Sequence, residues 1–269
     1  SIFLIEKRDV KYFNYSKENS PIQSYFIGGY GLEIFDDSEN NEVITVSNEF
    51  HRTVSTLRFF NKSSKKVEHV YYYHEGKSID ALILPELKYA AMSLNNNKIM
   101  IVNYTKKPSF KVEHEIQLKA MARRLIYKND FLFYVTDLGE IYKYSLKTKE
   151  NTLLFDYDKK ITDFAIFNNA IIYSTIDGEI IKYNTIKKSV SKIQVKDNFV
   201  LNSLHFKEDK LICGTFKGSI ILLDVEKMSI IKELNYHKRS VLKIVNYKIW
   251  FFIRQKFISD IIKEIFCYF

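Results

Sequence analysis

Cysteine is scarce: Cys213 and Cys267 are the only two in 269 residues. That is too few for a disulfide framework, and they are not spaced as metal ligands, so a reducing setting, nuclear or cytoplasmic, is expected. Three prolines and eight glycines exclude collagen-like and Pro/Gly-rich disordered chains. Long apolar runs are missing as well, since a membrane span needs about 18 such residues. Even the richest stretch, residues 249–269, contains Arg254, Lys256, Asp260, Lys263 and Glu264. The opening Ser-Ile-Phe-Leu-Ile-Glu-Lys-Arg places a short apolar run before charge, the reverse of a signal peptide. No membrane span is therefore expected.

The usual signatures of chemistry are absent too. There is no Walker phosphate loop, no dinucleotide glycine fingerprint and no GxSxG elbow. Gly28-Gly29-Tyr30-Gly31 is the only glycine cluster, and it precedes a strand pattern, where it suits a turn. The six histidines are His51, His69, His74, His114, His205 and His237, with none at the i, i+2 or i, i+4 spacing of paired ligands. His69 and His74, five apart, fall on opposite faces of a strand. Asp137, Asp177 and Glu179 sit at turns, where carboxylates serve the backbone. Cys213 lies in an apolar strand pattern and reads as a small core residue. An enzyme is not expected, nor a cofactor, a metal or a small-molecule substrate.

What is plentiful is strand-forming material. Aromatics make up 15% of the chain, with 21 Phe and 19 Tyr, and β-branched residues are frequent. The formal net charge is +9, which suits an acidic partner, although the joint abundance of Lys, Asn, Ile, Tyr and Phe also fits an AT-rich genome. Basic groups gather at turns: Lys119 with Arg123 and Arg124, then Lys159-Lys160, Lys187-Lys188 and Lys238-Arg239. Of these, Arg123, Arg124, Lys159 and Lys160 are the candidates for nucleic-acid contact. No aromatic residues interleave with them as a base-stacking platform needs.

Internal repetition is the strongest signal. Residues 124–146, 163–186 and 203–225 each read strand, polar turn, strand, turn with Gly, strand. Gly139, Gly178 and Gly218 are spaced by 39 and 40 residues, each where a tight turn needs positive φ. Five residues beyond each glycine comes a large apolar residue followed by a small polar one: Tyr144-Ser145, Tyr183-Asn184 and Leu223-Asp224. The same pair recurs upstream at Val102-Asn103, Phe60-Asn61 and Phe13-Asn14. The sequons at Asn14, Asn61 and Asn103 thus serve as fold punctuation.

A period near 40 with three or four short strands is that of a β-propeller blade. In the clearest repeat, residues 200–206, 211–216, 219–225 and 229–234 form the four strands, and earlier inner strands begin near Ser78, Met121 and Ile161. The expected fold is all-β, a propeller over residues 1–248 with seven blades, or six as the alternative. Residues 249–269 make an irregular last blade or apolar tail, a short helix, or the product of a shifted reading frame. Residues 2–5 are the candidate strand for closing the ring.

Tyr236-His237 with Val241 resembles the GH element of the WD-repeat family, and Leu223-Asp224 resembles its terminal WD dipeptide. Most repeats here lack both His and Trp, and the lone Trp250 lies in the tail. A narrower resemblance runs through residues 78–234. Lys106-Lys107-Pro108, Ala122-Arg123-Arg124, Thr136-Asp137 before Gly139-Glu140-Ile141-Tyr142, Ile161-Thr162-Asp163, Asp177 and Phe199-Val200 occur in the order seen in the non-catalytic WD-repeat subunits of eukaryotic tRNA 7-methylguanosine methyltransferases. The sequence departs from that pattern where Ile176 replaces an arginine and Val195-Lys196-Asp197 replaces a GHK element. This resemblance implies a scaffold that braces a catalytic subunit and reaches tRNA through the complex. It places partner contacts at Asp177, Glu179, Lys182, Asp197 and Lys217. The rival reading is a propeller scaffold of another assembly: vesicle coat, nuclear pore, ribosome assembly or chromatin.

Overall fold

The computed structural model describes residues 2–6, 9–13, 23–26, 29–49, 52–195, 201–207, 209–234, 243–245 and 250–252, with side chains at 30–49, 52–195, 204–206 and 209–234. Apart from a single 3-10 turn at Pro85–Leu87, the regular elements among them are strands. A three-stranded sheet holds β1 (Ile2–Glu6), β2 (Asp9–Phe13) and β3 (Gln23–Phe26). Five four-stranded sheets follow. They are β4 (Gly29–Asp37) with β5 (Glu42–Glu49), β6 (Ser55–Asn61) and β7 (Val67–Tyr73), then β8 (Ser78–Leu84) with β9 (Tyr89–Leu94), β10 (Lys98–Asn103) and β11 (Lys111–Gln117). Next come β12 (Ala122–Lys128) with β13 (Phe131–Thr136), β14 (Glu140–Ser145) and β15 (Asn151–Asp156), and β16 (Ile161–Phe167) with β17 (Ala170–Thr175), β18 (Glu179–Asn184) and β19 (Val190–Gln194). The fifth is β20 (Leu201–Lys207) with β21 (Lys210–Thr215), β22 (Ile220–Asp224) and β23 (Ser229–Leu234). A final pair joins β24 (Lys243–Val245) to β25 (Trp250–Phe252).

The described residues are all-β, and their four-stranded antiparallel meanders are consistent with blades of a WD-type propeller. First strands expected near Ser78, Met121, Ile161 and Val200 begin at Ser78, Ala122, Ile161 and Leu201. Residues 2–5, the candidate closing strand, lie in β1 and pair with β2 from Ile2↔Phe13 to Glu6↔Asp9. Trp250 lies in a strand that pairs with β24. His237, the Lys238-Arg239 pair and residues 253–269 fall outside the described residues.

Two compact units divide the chain, one of Ser1–Asp137 with Ile141–Leu153 and the other of Leu138–Glu140 with Leu154–Phe269. Within the first unit the first strands β4, β8 and β12 adjoin in turn, and within the second β16, β20 and β24 do so. Buried apolar side chains fill the space between sheets. Leu57, Phe59, Met92, Leu94 and Met100 form one cluster of the first unit, and Ile99, Leu125, Leu132 and Tyr134 another. Ile172, Ile180, Leu211, Cys213, Ile221 and Leu223 form the cluster of the second. Each such side chain contributes about 1.5–3 kcal/mol on burial. Second strands are covered on both faces, so β17 reads as an unbroken buried run rather than an alternation.

The repeating polar residues hold the turns. In five of the pairs the small polar residue stands at the end of the third strand and caps the turn after it, while Asn14 of the sixth lies outside the described residues. Asn61 Oδ1 accepts the N–H groups of Ser63 and Ser64 at 2.9 Å, and Asn184 Oδ1 those of Ile186 and Lys187 at 3.0 and 2.9 Å. Asp224 Oδ1 accepts those of Glu226 and Lys227 at 3.0 Å, Asn103 that of Thr105 at 2.9 Å, and Ser145 Oγ that of Thr148 at 3.1 Å. These are Asx and Ser turns, in which the side chain takes the place of a backbone carbonyl. Between second and third strands, Gly139, Gly178 and Gly218 take φ of +85°, +78° and +97°. A Cβ on Gly139 would collide with the carbonyl oxygen of Tyr157 and lie 2.6 Å from that of Lys159.

One irregularity recurs in all five four-stranded sheets. The first strand carries a bulge near its start, between Gly31 and Glu33, Ser78 and Asp80, Ala122 and Arg124, Ile161 and Asp163, and Leu201 and Ser203. A bulge re-aims the side chain beside it. At two of them this turns an aspartate toward the next sheet: Asp80 Oδ2 accepts the Leu125 N–H at 2.9 Å, and Asp163 Oδ2 the Leu204 N–H at 2.7 Å.

Candidate interaction surfaces

In each sheet the turn between second and third strands shares an end with the start of the first strand, and the turn between third and fourth strands lies at the opposite end. The candidate residues divide between these ends. At the first end of the second unit, Thr175 builds the turn. Its carbonyl accepts the Gly178 N–H at 3.1 Å and its hydroxyl the Glu179 N–H at 3.3 Å. Thr215 repeats this with Gly218 at 3.2 Å and Ser219 at 2.9 Å. The turns read Thr-x-x-Gly at 136–139, 175–178 and 215–218, a signal that the glycine spacing alone overlooks.

Asp177 and Glu179, expected as partner contacts, and Lys159, expected at nucleic acid, meet in one cluster. Lys159 Nζ lies 3.1 Å from Asp177 Oδ2 and 3.0 Å from Glu179 Oε2. Lys192 Nζ lies 3.1 Å from Glu179 Oε1, and the Tyr157 hydroxyl donates to Oε2 at 3.5 Å. Glu179 is only 7% exposed, so it is the buried centre of this cluster while Asp177 forms its rim. Hydrogen bonds from Lys159 and Lys192 hold the Glu179 carboxyl below the usual glutamate range, and the same contacts raise the Lys159 ammonium.

Lys182 Nζ donates to the Val225 carbonyl at 3.0 Å, tying β18 to the turn after β22. Lys217 is exposed beside Phe216 on the turn before β22, and Lys160 is exposed while its carbonyl accepts the Ile176 N–H at 3.0 Å. Asp197 lies outside the described residues. In the first unit, Arg123 is the bulged residue of β12 and pairs through Nε with Asp137. Arg124 Nη1 lies 3.5 Å from Asp80 Oδ1. Arg123, Arg124 and Lys159 are thus held by carboxylates of the chain itself, and this intramolecular engagement competes with any phosphate.

The most exposed apolar groups at this end include two, Leu138 and Phe216, that are not among the sequence candidates, and Ile176, which the sequence marks only as standing in place of an arginine. Leu138, Ile176 and Phe216 occupy the middle of the three Thr-x-x-Gly turns and are 58%, 46% and 63% exposed. All three belong to the second unit. Contacts link their turns in series: the Gly139 carbonyl accepts the Tyr157 N–H at 3.3 Å, and Lys159 reaches Asp177 on the next turn. The Gly178 carbonyl accepts the Val195 N–H at 3.0 Å, where β19 leaves the sheet toward β20. The first unit differs, with Arg52-Thr53 and Asn95-Asn96-Asn97 in the corresponding turns.

No group of three or more His, Cys, Asp or Glu among the described residues is placed to hold a metal. Cys213 is buried in β21, and burial raises its thiol far above the ordinary value, which disfavours the nucleophilic thiolate. His114 in β11 shares a 3.0 Å hydrogen bond with the Tyr144 hydroxyl, and burial lowers its pKa. No helix among the described residues is long and apolar enough to cross a membrane.

Comparison with known proteins finds a relative. A WD repeat-containing protein 55 homolog of Dictyostelium discoideum is 29% identical over 121 residues. The chain is similar to WD-repeat proteins. The match takes in 44% of this chain and spans 30% of the length of that relative. No family model matches the chain.

Proposed function

We propose that this WD-repeat-like chain is a non-catalytic scaffold whose protein partner docks on the Thr-x-x-Gly turns of the second unit. The observation that carries this reading is the exposure of Leu138, Ile176 and Phe216 on successive turns at one end. Burying exposed aromatic and aliphatic groups is where protein interfaces gain most of their energy. The Lys159–Asp177–Glu179 cluster beside them supplies a fixed polar rim, and Lys217 flanks Phe216. The most specific form of this reading takes the partner to be the catalytic subunit of a tRNA guanine-7 methyltransferase, braced for tRNA methylation in nucleus or cytoplasm. Asp177, Glu179, Lys182, Asp197 and Lys217 are then the contact positions, with Glu179 acting through the lysines it fixes.

Ile176 favours the broader alternative, a scaffold of a coat, pore, ribosome-assembly or chromatin complex. An exposed apolar side chain stands where the methyltransferase subunits carry arginine, so the partner surface facing it must be apolar. Affinity purification of the tagged protein from its own cells, with mass spectrometry and a methyltransfer assay on unmodified tRNA, separates the two. Recovery of a methyltransferase subunit whose activity disappears without this chain supports the specific reading. Recovery of another assembly without tRNA methylation overturns it and leaves the broader one.

A further inference from the structure

The opposite end of the first unit carries a different surface, built on the turns between third and fourth strands. Residues 62–66, 104–110 and 146–150 make these turns in three successive sheets. They present Lys65, Lys66, Lys106, Lys147 and Lys149, all exposed. None of these five ammonium groups has an ion-pair partner among the described residues. Other cations at this end are engaged: Lys62 pairs with Asp36, Lys88 lies 3.6 Å from Asp37, and Lys107 lies 2.5 Å from Glu42. Those pairs occupy Asp36, Asp37 and Glu42. Glu39, Glu86 and Asp130 are exposed on the turns between first and second strands, Asp130 accepting the Tyr127 hydroxyl at 3.1 Å, and Glu150 accepts a hydrogen bond from the Thr148 hydroxyl at 3.1 Å; the five lysines outnumber these carboxylates.

Backbone conformation adds a second observation. Lys65 and Lys149 occupy the same step of their turns, four residues past the capping Asn61 and Ser145, with φ of +60° and +63°. Glycine or asparagine adopts this left-handed conformation readily, whereas a lysine there costs about 1 kcal/mol. Lys188 repeats the choice in the second unit at +54°. Met228 holds the same step past Asp224 at +50°, so among the described residues lysine fills three of the four such steps, where turn geometry alone favours another residue.

The neighbours of these lysines indicate the kind of ligand. The other exposed residues of the three turns are Ser63, Ser64, Thr105, Pro108, Ser109, Thr148 and Glu150. Hydroxyls stand beside ammonium groups, and the apolar groups at this end, Val67, Leu87 and Val112, are only 36–39% exposed against 46–63% on the docking turns of the second unit, so the apolar centre of a protein interface is weak here. Lysine and hydroxyl groups spread over successive turns match the repeated anions of a phosphodiester chain, which is held by charge and needs no apolar contact. We infer that Lys65, Lys66, Lys106, Lys147 and Lys149 form a phosphate-backbone-binding surface for nucleic acid, distinct from the protein-docking turns of the second unit.

The test measures binding of the full chain to a fluorescent single-stranded RNA and to a DNA duplex over a series of salt concentrations, with anionic lipid vesicles as a third probe. Five contacts predict a slope of log affinity on log salt of about −3.5 for single-stranded RNA and about −4.5 for duplex DNA. A variant with Lys65→Asn and Lys149→Asn, which suit left-handed φ, plus Lys66→Gln, Lys106→Gln and Lys147→Gln should retain its melting temperature. It should lose at least ~10-fold in affinity and most of the salt slope. Lys77→Gln with Lys119→Gln, at the other end of the first unit, should change neither. Binding of RNA alone, or of both polymers, supports the surface and assigns its source. Unchanged binding by the five-residue variant overturns the inference, as does wild-type binding to vesicles only or to none of the three probes.

Discussion

The two kinds of turn at opposite ends of these sheets are fixed by equally strict local chemistry, yet they present opposite surfaces. In the second unit, turns closed by Thr and Gly raise Leu138, Ile176 and Phe216 into solvent. In the first, turns closed by Asn61, Asn103 and Ser145 raise lysines and hydroxyls. Geometry in both depends on a few capping groups, and the residues at the tip carry none of it. Tips are therefore free to differ between repeats, and a scaffold can place an apolar docking site and a charged one on the same repeated frame. Changes to the frame should cost stability, and changes to the tips should cost binding.

The largest loss of stability is expected at the junction between sheets. Asp163→Ala leaves the buried Leu204 N–H without its acceptor and should cost about 2–3 kcal/mol in denaturant unfolding. Gly139→Ala combines left-handed φ with a collision against the Tyr157 and Lys159 carbonyls, and should cost about 2 kcal/mol with a matching fall in melting temperature. Asn184→Ala removes one Asx cap and should cost about 1 kcal/mol, while Asn184→Asp, which keeps the acceptor, should restore most of it.

These frame positions were legible in unequal measure. The apolar–polar pairs identified the ends of third strands because each small polar residue must both stop a strand and cap its turn, and both demands fall on one position. Glycine spacing located the tight turns for the same reason. By contrast, Asp80 and Asp163 fall in the expected first strands, but their reach across to the next sheet depends on a bulge that local sequence does not reveal. Glu179 looked like a surface carboxylate because it follows a turn glycine. Its burial comes from Lys159 and Lys192, which arrive from 20 and 13 residues away. Leu138 and Phe216 carry no signature of their own, because a lone apolar residue beside a turn glycine in a strand-rich repeat reads as core, and Ile176 stands out only as a departure from an arginine.

Acid titration isolates the Glu179 cluster. Its folded-state carboxyl has the lower pKa, so as pH falls the unfolded chain takes up the proton first. The contribution is complete above the ordinary value of about 4.5 and disappears as pH drops through the folded value. Urea midpoints across this range should fall more steeply for the wild type than for Glu179→Gln, whose acid limb is flattened. Equal slopes would remove the cluster from any role in holding Lys159 beside Asp177.

The smallest effect on stability is expected at the tips. Leu138→Ser, Ile176→Ser and Phe216→Ser together should leave the unfolding free energy within about 0.5 kcal/mol of wild type per site. The most direct measurement of the account compares partner recovery from native cells by the tagged wild type and by this triple variant, with thermal melts of both proteins. Docking on these tips predicts coincident melts and loss of the wild-type partner from the variant. Full recovery of the same partner by a folded triple variant would contradict it.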